Sequence, residues 1–365
     1  MILNTRAGLL GAIFMLAWLA GCGGSSNSST SSGTNAYVAI PQANAIAAFR
    51  VNTDSGDLKS VLGSPFSGGT SPASIAIHPS GKFVYAANQG GNDISLFTVD
   101  NSTGELTEVM PRTPAGLTPK SLAMDSGGDL LFVANEISNN ISVYSISSGN
   151  GALTEIQGSP FPTGSQPVAI ALSPSGKFLY VASGNLSAVF GYSVASGTGS
   201  LSAVAGSPFA VGSEPLALVV EPSEHFLYVA NFNSNTVSGM AIDASSGTLT
   251  VALASPFATG TNPISIAVDP SGKFLYVANL GSSNISVYSI DSSTGATTQL
   301  TKSPFAATTK PTFATVDPAG KFLYVCSESS KNISKFQIDQ DTGGLPSNTV
   351  SATTNLAPAA IAFTK

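Results

Sequence analysis

The sequence predicts an all-β fold, a single seven-bladed β-propeller with four antiparallel strands per blade. One block of residues recurs seven times at intervals of 47 or 48 residues, and a fixed period of this length indicates a repeat architecture. Within each repeat, short apolar and alternating runs separated by turn residues predict four short strands. Each end of the chain carries only part of a repeat, and the two parts together would complete one blade of a closed ring.

Residues 263–310 illustrate one repeat. Residues 263–268 form an apolar run, with proline tolerated because it opens the strand. An Asp-Pro-Ser-Gly-Lys turn leads to a second strand at 274–279, rich in aromatic and β-branched residues. A half-buried strand follows at 284–290, and a more polar one at 296–303. The second strands carry the aromatic anchors Tyr37, Tyr85, Phe132, Tyr180, Tyr228, Tyr276 and Tyr324.

The polarity of the strands predicts how each blade is oriented in the ring. The first two strands are apolar on both faces, whereas the fourth is largely polar. We therefore expect the inner strands to pack between neighbouring blades and the outer edge to meet water. A phenylalanine in a repeated Ser-Pro-Phe segment is expected to fill the gap between adjacent blades. These residues are Phe66, Phe161, Phe209, Phe257 and Phe305.

The two ends of the chain together predict how the ring closes. Residues 358–363 match only the first strand of a blade, whereas residues 37–40 and 45–51 match its second and third strands. The termini would therefore share one blade and leave no exposed strand edge. An open solenoid would need polar capping repeats, and the sequence has none. We assign residues 36–365 to this single domain.

The N-terminus is predicted to be a targeting segment, residues 1–21. Arg6 provides the positive charge, and residues 9–19 form an apolar stretch too short to span a bilayer. The sequence Leu-Ala-Gly-Cys ending at Cys22 resembles the lipobox of bacterial lipoproteins. This resemblance implies cleavage before Cys22 and lipid attachment to its sulfur; the alternative is an ordinary signal peptide with a cysteine nearby. Gly23 stands where inner-membrane retention signals carry Asp, which favours the outer membrane or cell surface.

Residues 22–35 are predicted to tether the folded domain to the cell envelope. After Cys22 this segment is almost entirely Gly, Ser, Thr and Asn, and such a chain has an end-to-end distance on the order of 20 Å. We therefore expect the lipid anchor to be the only contact with the membrane. A surface protein, a glycan or a small polar ligand is the expected partner.

Composition excludes several classes of function. When Arg6 is removed with the targeting segment, 13 basic and 20 acidic residues remain, which gives a net charge of −7. Nucleic acid is therefore not expected as a partner. No zinc-ligand spacing or EF-hand calcium loop is present, so we predict no metal and no cofactor. The single tryptophan, Trp18, lies in the targeting segment. Cys326 is expected to be a small core residue.

The repeated block, ending in Gly-Lys-Phe-Leu-Tyr-Val-Ala-Asn, resembles the lactonase family of seven-bladed propellers over residues 36–365. That family includes bacterial 6-phosphogluconolactonase and fungal carboxymuconate cyclases. The block equally resembles the surface propellers named for a Tyr-Val-Thr-Asn motif. Lactonases of this family typically read Pro-Arg-His at a blade entry and Asn-Glu after the second strand. This chain has Lys120 and Ser121 after Pro119, and Glu136 after Asn135.

This partial match leaves the catalytic inventory incomplete. Glu136 fits the family pattern, but Lys120 in place of Arg loses bidentate recognition of an anion, and Ser121 replaces a proton-carrying His. The resemblance implies Glu136 as a general base and Lys120 as an anion clamp. The alternative is a salt bridge of little energetic consequence at the rim of the channel.

Propeller geometry predicts which candidate residues share a face. Loops leading into the first strand and loops after the second strand lie on one side, here called the channel face. Six charged residues are expected there: Lys120, Glu136, Glu214, Lys310, Glu328 and Lys331. Gln166, Glu214, Asn262 and Lys310 each precede an entry proline and are expected to ring the channel mouth as ligand-binding residues. Equivalent rings also occur in propellers that bind nothing.

The two histidines are predicted to take no part in chemistry. His78 and His225 fall in turns between first and second strands, which lie on the far face, and we expect both to be solvent-exposed. Two hypotheses remain: a lipid-anchored propeller that binds a partner or small ligand at the channel face, and a lactone hydrolase using Glu136 and Lys120. The sparse ionisable groups favour the first, and the resemblance supports the second.

Overall fold

The structure is a computed structural model that describes residues 33–364. The predicted targeting segment, the lipidation site at Cys22 and the first part of the tether lie outside the described residues. Gly33 and Thr34 have no regular secondary structure, and the first strand begins at Asn35. Among residues 33–364, no helix has the length and hydrophobicity needed to cross a bilayer.

The described residues form 33 strands and one short 3₁₀ helix, Pro41–Ala43. Blade 1 contains β1 (Asn35–Ile40), β2 (Ala45–Val51), β3 (Leu58–Ser60) and β4 (Phe66–Ser67); blade 2 contains β5 (Pro72–Ile77), β6 (Phe83–Asn88), β7 (Asp93–Val99) and β8 (Leu106–Pro114). Blade 3 contains β9 (Pro119–Met124), β10 (Leu130–Asn135), β11 (Asn140–Ile146), β12 (Leu153–Glu155) and β13 (Phe161–Pro162); blade 4 contains β14 (Pro167–Leu172), β15 (Phe178–Ser183), β16 (Ala188–Val194), β17 (Leu201–Ala203) and β18 (Phe209–Ala210). Blade 5 contains β19 (Pro215–Val220), β20 (Phe226–Asn231), β21 (Thr236–Ile242), β22 (Leu249–Val251) and β23 (Phe257–Ala258); blade 6 contains β24 (Pro263–Val268), β25 (Phe274–Asn279), β26 (Asn284–Ile290), β27 (Thr297–Gln299) and β28 (Phe305–Ala306). Blade 7 contains β29 (Pro311–Val316), β30 (Phe322–Ser327), β31 (Asn332–Gln337) and β32 (Ser347–Thr353), and β33 (Ala360–Phe363) returns to blade 1.

Each blade is an antiparallel sheet of four main strands, which follow chain order in blades 2–7, and the seven sheets confirm the predicted seven-bladed propeller. Blade 6, for example, runs β24–β25–β26–β27. In five blades, a further two-residue strand at the Ser-Pro-Phe segment pairs back onto the third strand. The first strands of successive blades lie side by side around a central channel.

The hydrophobic core consists of seven wedges, each between two neighbouring blades. The wedge between blades 4 and 5, for example, combines Tyr180, Val189 and Phe209 with Leu227 and Met240. All five phenylalanines of the Ser-Pro-Phe segments pack in a wedge between their own blade and the next, so the predicted role of these residues is confirmed. Cys326 is fully buried in the wedge between blades 7 and 1, also as predicted.

A repeated hydrogen bond joins each blade to its neighbour. The hydroxyl of the second-strand tyrosine donates to the carbonyl of a turn glycine in the next blade. The donor and acceptor pairs are Tyr37 and Gly104, Tyr85 and Gly151, Tyr180 and Gly247, Tyr228 and Gly295, Tyr276 and Gly343, and Tyr324 and Gly56. Blade 3 lacks this bond because Phe132 stands at the tyrosine position.

Ring closure occurs in blade 1, where β33 pairs antiparallel with β1. Thr364 extends this pairing, because its Oγ1 accepts the Asn35 N–H at 2.8 Å and its own N–H donates to the Asn35 carbonyl at 2.9 Å. In blades 6 and 7, Asp269 and Asp317 accept the equivalent backbone N–H. Blade 1 is therefore assembled from both chain termini with the same local bonding as a continuous blade.

Candidate functional site

A cavity of about 680 Å³ lies at the channel face. First strands from all seven blades line it, together with Gln42, Gln89, Leu280 and Glu328 from loops that follow second strands. A second cavity of about 340 Å³ is lined by turns between first and second strands, including His78 and Asp125. The predicted sorting of loops into two faces is therefore confirmed, and the channel face holds the larger cavity.

In six of the seven blades, a β-bulge places one residue of the entry strand at the channel mouth. In blades 2–7 the entry proline pairs with the last residue of the second strand, and the residue after the proline is skipped in the register. Bulges of this kind redirect a side chain out of the regular ladder. The resulting set, here called the bulge ring, lines the cavity: Ala73, Lys120, Val168, Leu216, Ile264, Thr312 and, at the equivalent position of blade 1, Ala359.

Lys120 is the only charged member of the bulge ring. Its Nζ donates to Gln89 Oε1 of blade 2 at 3.1 Å and lies 3.9 Å from Glu136 Oε2 of its own blade. The Lys120 and Glu136 side chains are 39% and 22% exposed. At this distance the two charges attract but form no hydrogen bond. Because an ammonium has three donors, Lys120 retains hydrogen-bonding capacity for a ligand oxygen.

The structure thus brings the predicted pair Lys120 and Glu136 together but separates it from the predicted polar ring. Gln166, Glu214, Asn262 and Lys310 are exposed or half-exposed and are not among the residues that line the cavity. All four have positive φ, between 53° and 55°. Their carbonyls accept the backbone N–H of Gly184, Phe232, Leu280 and Glu328, respectively. These hydrogen bonds connect the loop before each entry strand to the loop after the second strand of the same blade. The sequence alone did not indicate this structural role of the four residues.

The two histidines lie on the far face, three blades apart, but only His225 is exposed as predicted. The prediction for His78 is wrong, because this side chain is only 9% exposed. Its ring lies edge-on to Phe83, and its Nε2 is 3.1 Å from the Gly128 carbonyl of the next blade. The turn of the next blade that contains Gly128 covers His78. The sequence around His78 does not reveal this contact, because the covering turn belongs to another blade.

Sequence reasoning missed several residues of the channel mouth. Gln42 and Gln89 line the cavity, and so do Val168, Leu216 and Ile264. For Val168, Leu216 and Ile264 the sequence did offer a signal, because all three stand directly after an entry proline and this position repeats in every blade. Within residues 33–364, no three His, Cys, Asp or Glu side chains meet in a way that could hold a metal ion.

The arrangement supports two kinds of chemistry. An ammonium with free donors can hold a carboxylate or a carbonyl oxygen, and an adjacent carboxylate can accept a proton from water. Both groups belong to blade 3, but only Lys120 lines the cavity, and Glu136 stands behind it at 3.9 Å. The volume of the cavity is within the range of small-molecule sites, roughly 300–1,000 Å³. The molecule is therefore a seven-bladed β-propeller with a candidate small-ligand site at one end of its channel.

Comparison with known proteins places this propeller in a family. The family model described as "Lactonase, 7-bladed beta-propeller" matches residues 27–162, 156–261 and 250–363. The chain belongs to this family. Among curated protein sequences, none matches this chain significantly.

Solved structures of the same architecture include two candidate 6-phosphogluconolactonases. The one from Bacteroides fragilis has a TM-score of 0.81 at 22% identity, covering 93% of this chain and 99% of that one. The one from Bacteroides uniformis has a TM-score of 0.79 at 20% identity, covering 91% and 99%. The periplasmic gluconolactonase of Pseudomonas aeruginosa has a TM-score of 0.76 at 18% identity, covering 91% and 99%. At these identities the likeness establishes the fold.

Proposed function

We propose that this protein is an exported, lipid-anchored member of the lactonase family that binds a small ligand at the channel mouth. The ligand carries a carboxylate or lactone oxygen, which Lys120 holds. The observation that carries this proposal is the position of Lys120 on a β-bulge, at the rim of the 680 Å³ cavity and hydrogen-bonded to Gln89. A surface protein or a glycan is the larger partner that would bind through the same face.

Binding is the first candidate function and catalysis the second, because the channel mouth offers few groups that can transfer protons. Of the cavity-lining residues, only Lys120 and Glu328 are charged, and no histidine is among them. Most of the lining side chains are aliphatic or small. Such a site can select a ligand by shape and by a few polar contacts.

Lactone ring opening is the second candidate, favoured by the carboxylate of Glu136 beside the ammonium of Lys120. Lys120 would hold the carbonyl oxygen, while Glu136 takes a proton from a water molecule whose oxygen attacks the carbonyl carbon. Breaking the ring C–O bond releases a hydroxyl that receives this proton, so the product is a hydroxy acid. The fold shared with the periplasmic gluconolactonase is consistent with this second candidate.

Calorimetric titration with sugar lactones, aliphatic lactones and their hydroxy acids tests the binding proposal. We expect Lys120→Met to weaken binding by about ten-fold or more, because a hydrogen bond to a charged group contributes about 1.5–3 kcal/mol. Lys273→Met is the matched control, since Lys273 is an exposed lysine in a far-face turn. Equal affinities for wild type and Lys120→Met would contradict the proposal.

Turnover of the same lactones separates the two candidates. Hydrolysis that Glu136→Gln abolishes, with binding retained, would establish the second candidate and exclude a binding-only role. Binding without turnover by the wild type would support the first. His225→Ala serves as a control because His225 is exposed on the far face, and a large rate loss in this variant would show that the face assignment is wrong.

Lipid attachment is tested separately by growing expressing cells with a labelled fatty acid. We expect label on the wild type and on Cys326→Ser, and none on Cys22→Ser. Cys326 is a suitable control because it is fully buried in the propeller. Equal labelling of the Cys22→Ser protein would contradict the predicted anchor.

A further inference from the structure

The bulge ring divides the channel mouth into a polar and an apolar arc. The blades are adjacent in the order 7, 1, 2, 3 on one side and 4, 5, 6 on the other. Blades 3 and 7 place Lys120 and Thr312 in the ring, and blades 1 and 2 place alanines there. Blades 4, 5 and 6 place Val168, Leu216 and Ile264 in the ring. Three consecutive blades therefore present branched aliphatic side chains, all of them half-buried and lining the cavity.

The loops after the second strands repeat the same division. On the polar side, Gln42, Gln89 and Glu328 of blades 1, 2 and 7 line the cavity. On the apolar side, the corresponding loop of blade 6 contributes Leu280. These residues come from loops after the second strands and not from the entry strands, so two separate sets of side chains agree. We call these two sides the polar arc and the apolar arc.

We propose that the ligand is an amphiphile: a lactone or its hydroxy acid bearing an unbranched aliphatic chain. The oxygen-bearing head binds at Lys120 and Gln89 in the polar arc. The chain lies over Val168, Leu216 and Ile264 in the apolar arc. This inference rests on the proposed function, because it names the class of ligand that the same site takes.

Polyhydroxylated ligands fit this mouth less well than aliphatic ones. A sugar hydroxyl placed against the apolar arc loses its hydrogen bonds to water, which weakens binding by about 5-fold to 150-fold when no partner replaces them. Each methylene buried there instead strengthens binding by about four-fold. Burial against the apolar arc is therefore favourable for an aliphatic chain and unfavourable for a polyol.

A series of γ-lactones with linear alkyl substituents, from about two to about eight carbons, tests the inference on the purified protein. We expect the dissociation constant to fall about four-fold per added methylene, until the chain extends beyond the apolar arc. Gluconolactone and gluconate are the polyhydroxylated comparison ligands, and we expect them to bind more weakly than the longer alkyl lactones. Titration calorimetry measures both sets.

Variants of the two arcs separate the head from the chain. The near-isosteric changes Val168→Thr and Leu216→Asn should reduce the gain per methylene to about two-fold or less. Leu253→Asn is the matched control, since Leu253 is 66% exposed and is not among the cavity-lining residues. Lys120→Met should weaken all chain lengths by a similar factor and leave the gain per methylene unchanged. Circular dichroism confirms that each variant is folded before titration.

The outcomes distinguish this inference from the proposed function. A rise in affinity with chain length that the apolar-arc variants remove and Leu253→Asn preserves would support the amphiphile. Lys120-dependent binding that is independent of chain length, or stronger for gluconate, would overturn the amphiphile and leave the proposed function standing. Absence of Lys120-dependent binding by any ligand in either set would overturn both.

Discussion

In six blades, one tyrosine hydroxyl forms a hydrogen bond across the interface with the next blade, here called the joint. The hydroxyl of Tyr228, whose side chain is fully buried, donates to the Gly295 carbonyl of the next blade at 3.0 Å. Five other blades form the same bond. The aromatic ring could be assigned to the core from sequence, but the partner glycine lies 67 residues away. Only the tertiary structure identifies this acceptor.

Removing one of these hydroxyls should measure the strength of a joint. We expect Tyr228→Phe to lower the free energy of unfolding by about 1–2 kcal/mol, because a buried carbonyl loses its partner. Phe132→Tyr is the reciprocal variant, and we expect it to gain up to about 1 kcal/mol, since Gly199 stands at the acceptor position of blade 4. Urea unfolding measures both, and no loss in Tyr228→Phe would show that the bond does not stabilise the joint.

Burial of the tyrosines also sets the response of the protein to alkaline pH. It raises the pKa of all nine tyrosines above the ordinary value of 10.0, and that of Tyr144 to about 12. A folded-state pKa above the unfolded value means that the stabilisation is complete below about pH 10. It is lost as the pH rises from there through the folded-state pKa values.

We therefore expect the protein to unfold steeply above about pH 10. Each tyrosine with a raised pKa removes about 1.4 kcal/mol per pH unit in this range. Tyrosinate absorbance should appear together with the loss of the β-sheet circular dichroism signal. Absorbance that rises before the fold is lost would show that the hydroxyls ionise in the native state.

At the scale of elements, the turn between third and fourth strands is the unit that fits one blade against another. In blade 6, Asp291 accepts the N–H groups of Ser293 and Thr294 and the Ser293 hydroxyl, which lowers the pKa of its carboxyl. Gly295 follows with φ of 68°, and a Cβ added there would lie 2.3 Å from the Phe226 ring of blade 5. The glycine is therefore required by its backbone conformation and by its close approach to Phe226.

Three glycine variants separate these two requirements. Gly295→Ala should cost about 3 kcal/mol, because it combines positive-φ strain with a clash. Gly176→Ala should cost about 1–2 kcal/mol, since φ is 74° but no atom lies within 4 Å of the added Cβ. Gly149→Ala is the control with open space and no positive φ, and it should be within about 0.5 kcal/mol of wild type. Equal thermal stability of the three variants would contradict this account.

The entry strand shows which part of an element the sequence can specify. Its apolar run and its leading proline predicted the strand and the channel face correctly. The bulge after the proline could not be predicted, because a skipped residue depends on how the second strand pairs with it. Sequence reasoning therefore selected the residue before the proline as the ring at the mouth, whereas the structure places the residue after it at the cavity.

At the scale of the whole molecule, closure in blade 1 holds the ring together. β33 covers the edge of β1 and buries Ala360 and Ile361. The joint between blades 7 and 1 adds the bond from Tyr324 to Gly56 and an ion pair between Lys335 and Asp57. Without β33, the edge of β1 and the wedges on either side of blade 1 would meet water.

Deleting residues 358–365 should therefore lower the melting temperature by on the order of 10 °C, because backbone pairing and apolar burial are lost together. Deleting Lys365 alone is the matched control and should have little effect. Thermal unfolding followed by circular dichroism measures both. A truncated protein as heat-resistant as the intact one would show that the termini do not close the ring.

The sequence by itself determined the number of blades, the strands in each, the shared terminal blade and the pairing of Lys120 with Glu136 at the channel face. Periodicity and strand polarity carry that information, because they are local and repeat seven times. The tertiary structure decided the burial of His78, the glycine acceptors of the tyrosines and the division of the mouth into two arcs. The first two features depend on contacts between neighbouring blades, which no local pattern in the chain records. The arcs depend on the bulge after each entry proline, because only the pairing of first and second strands shows which side chain enters the cavity.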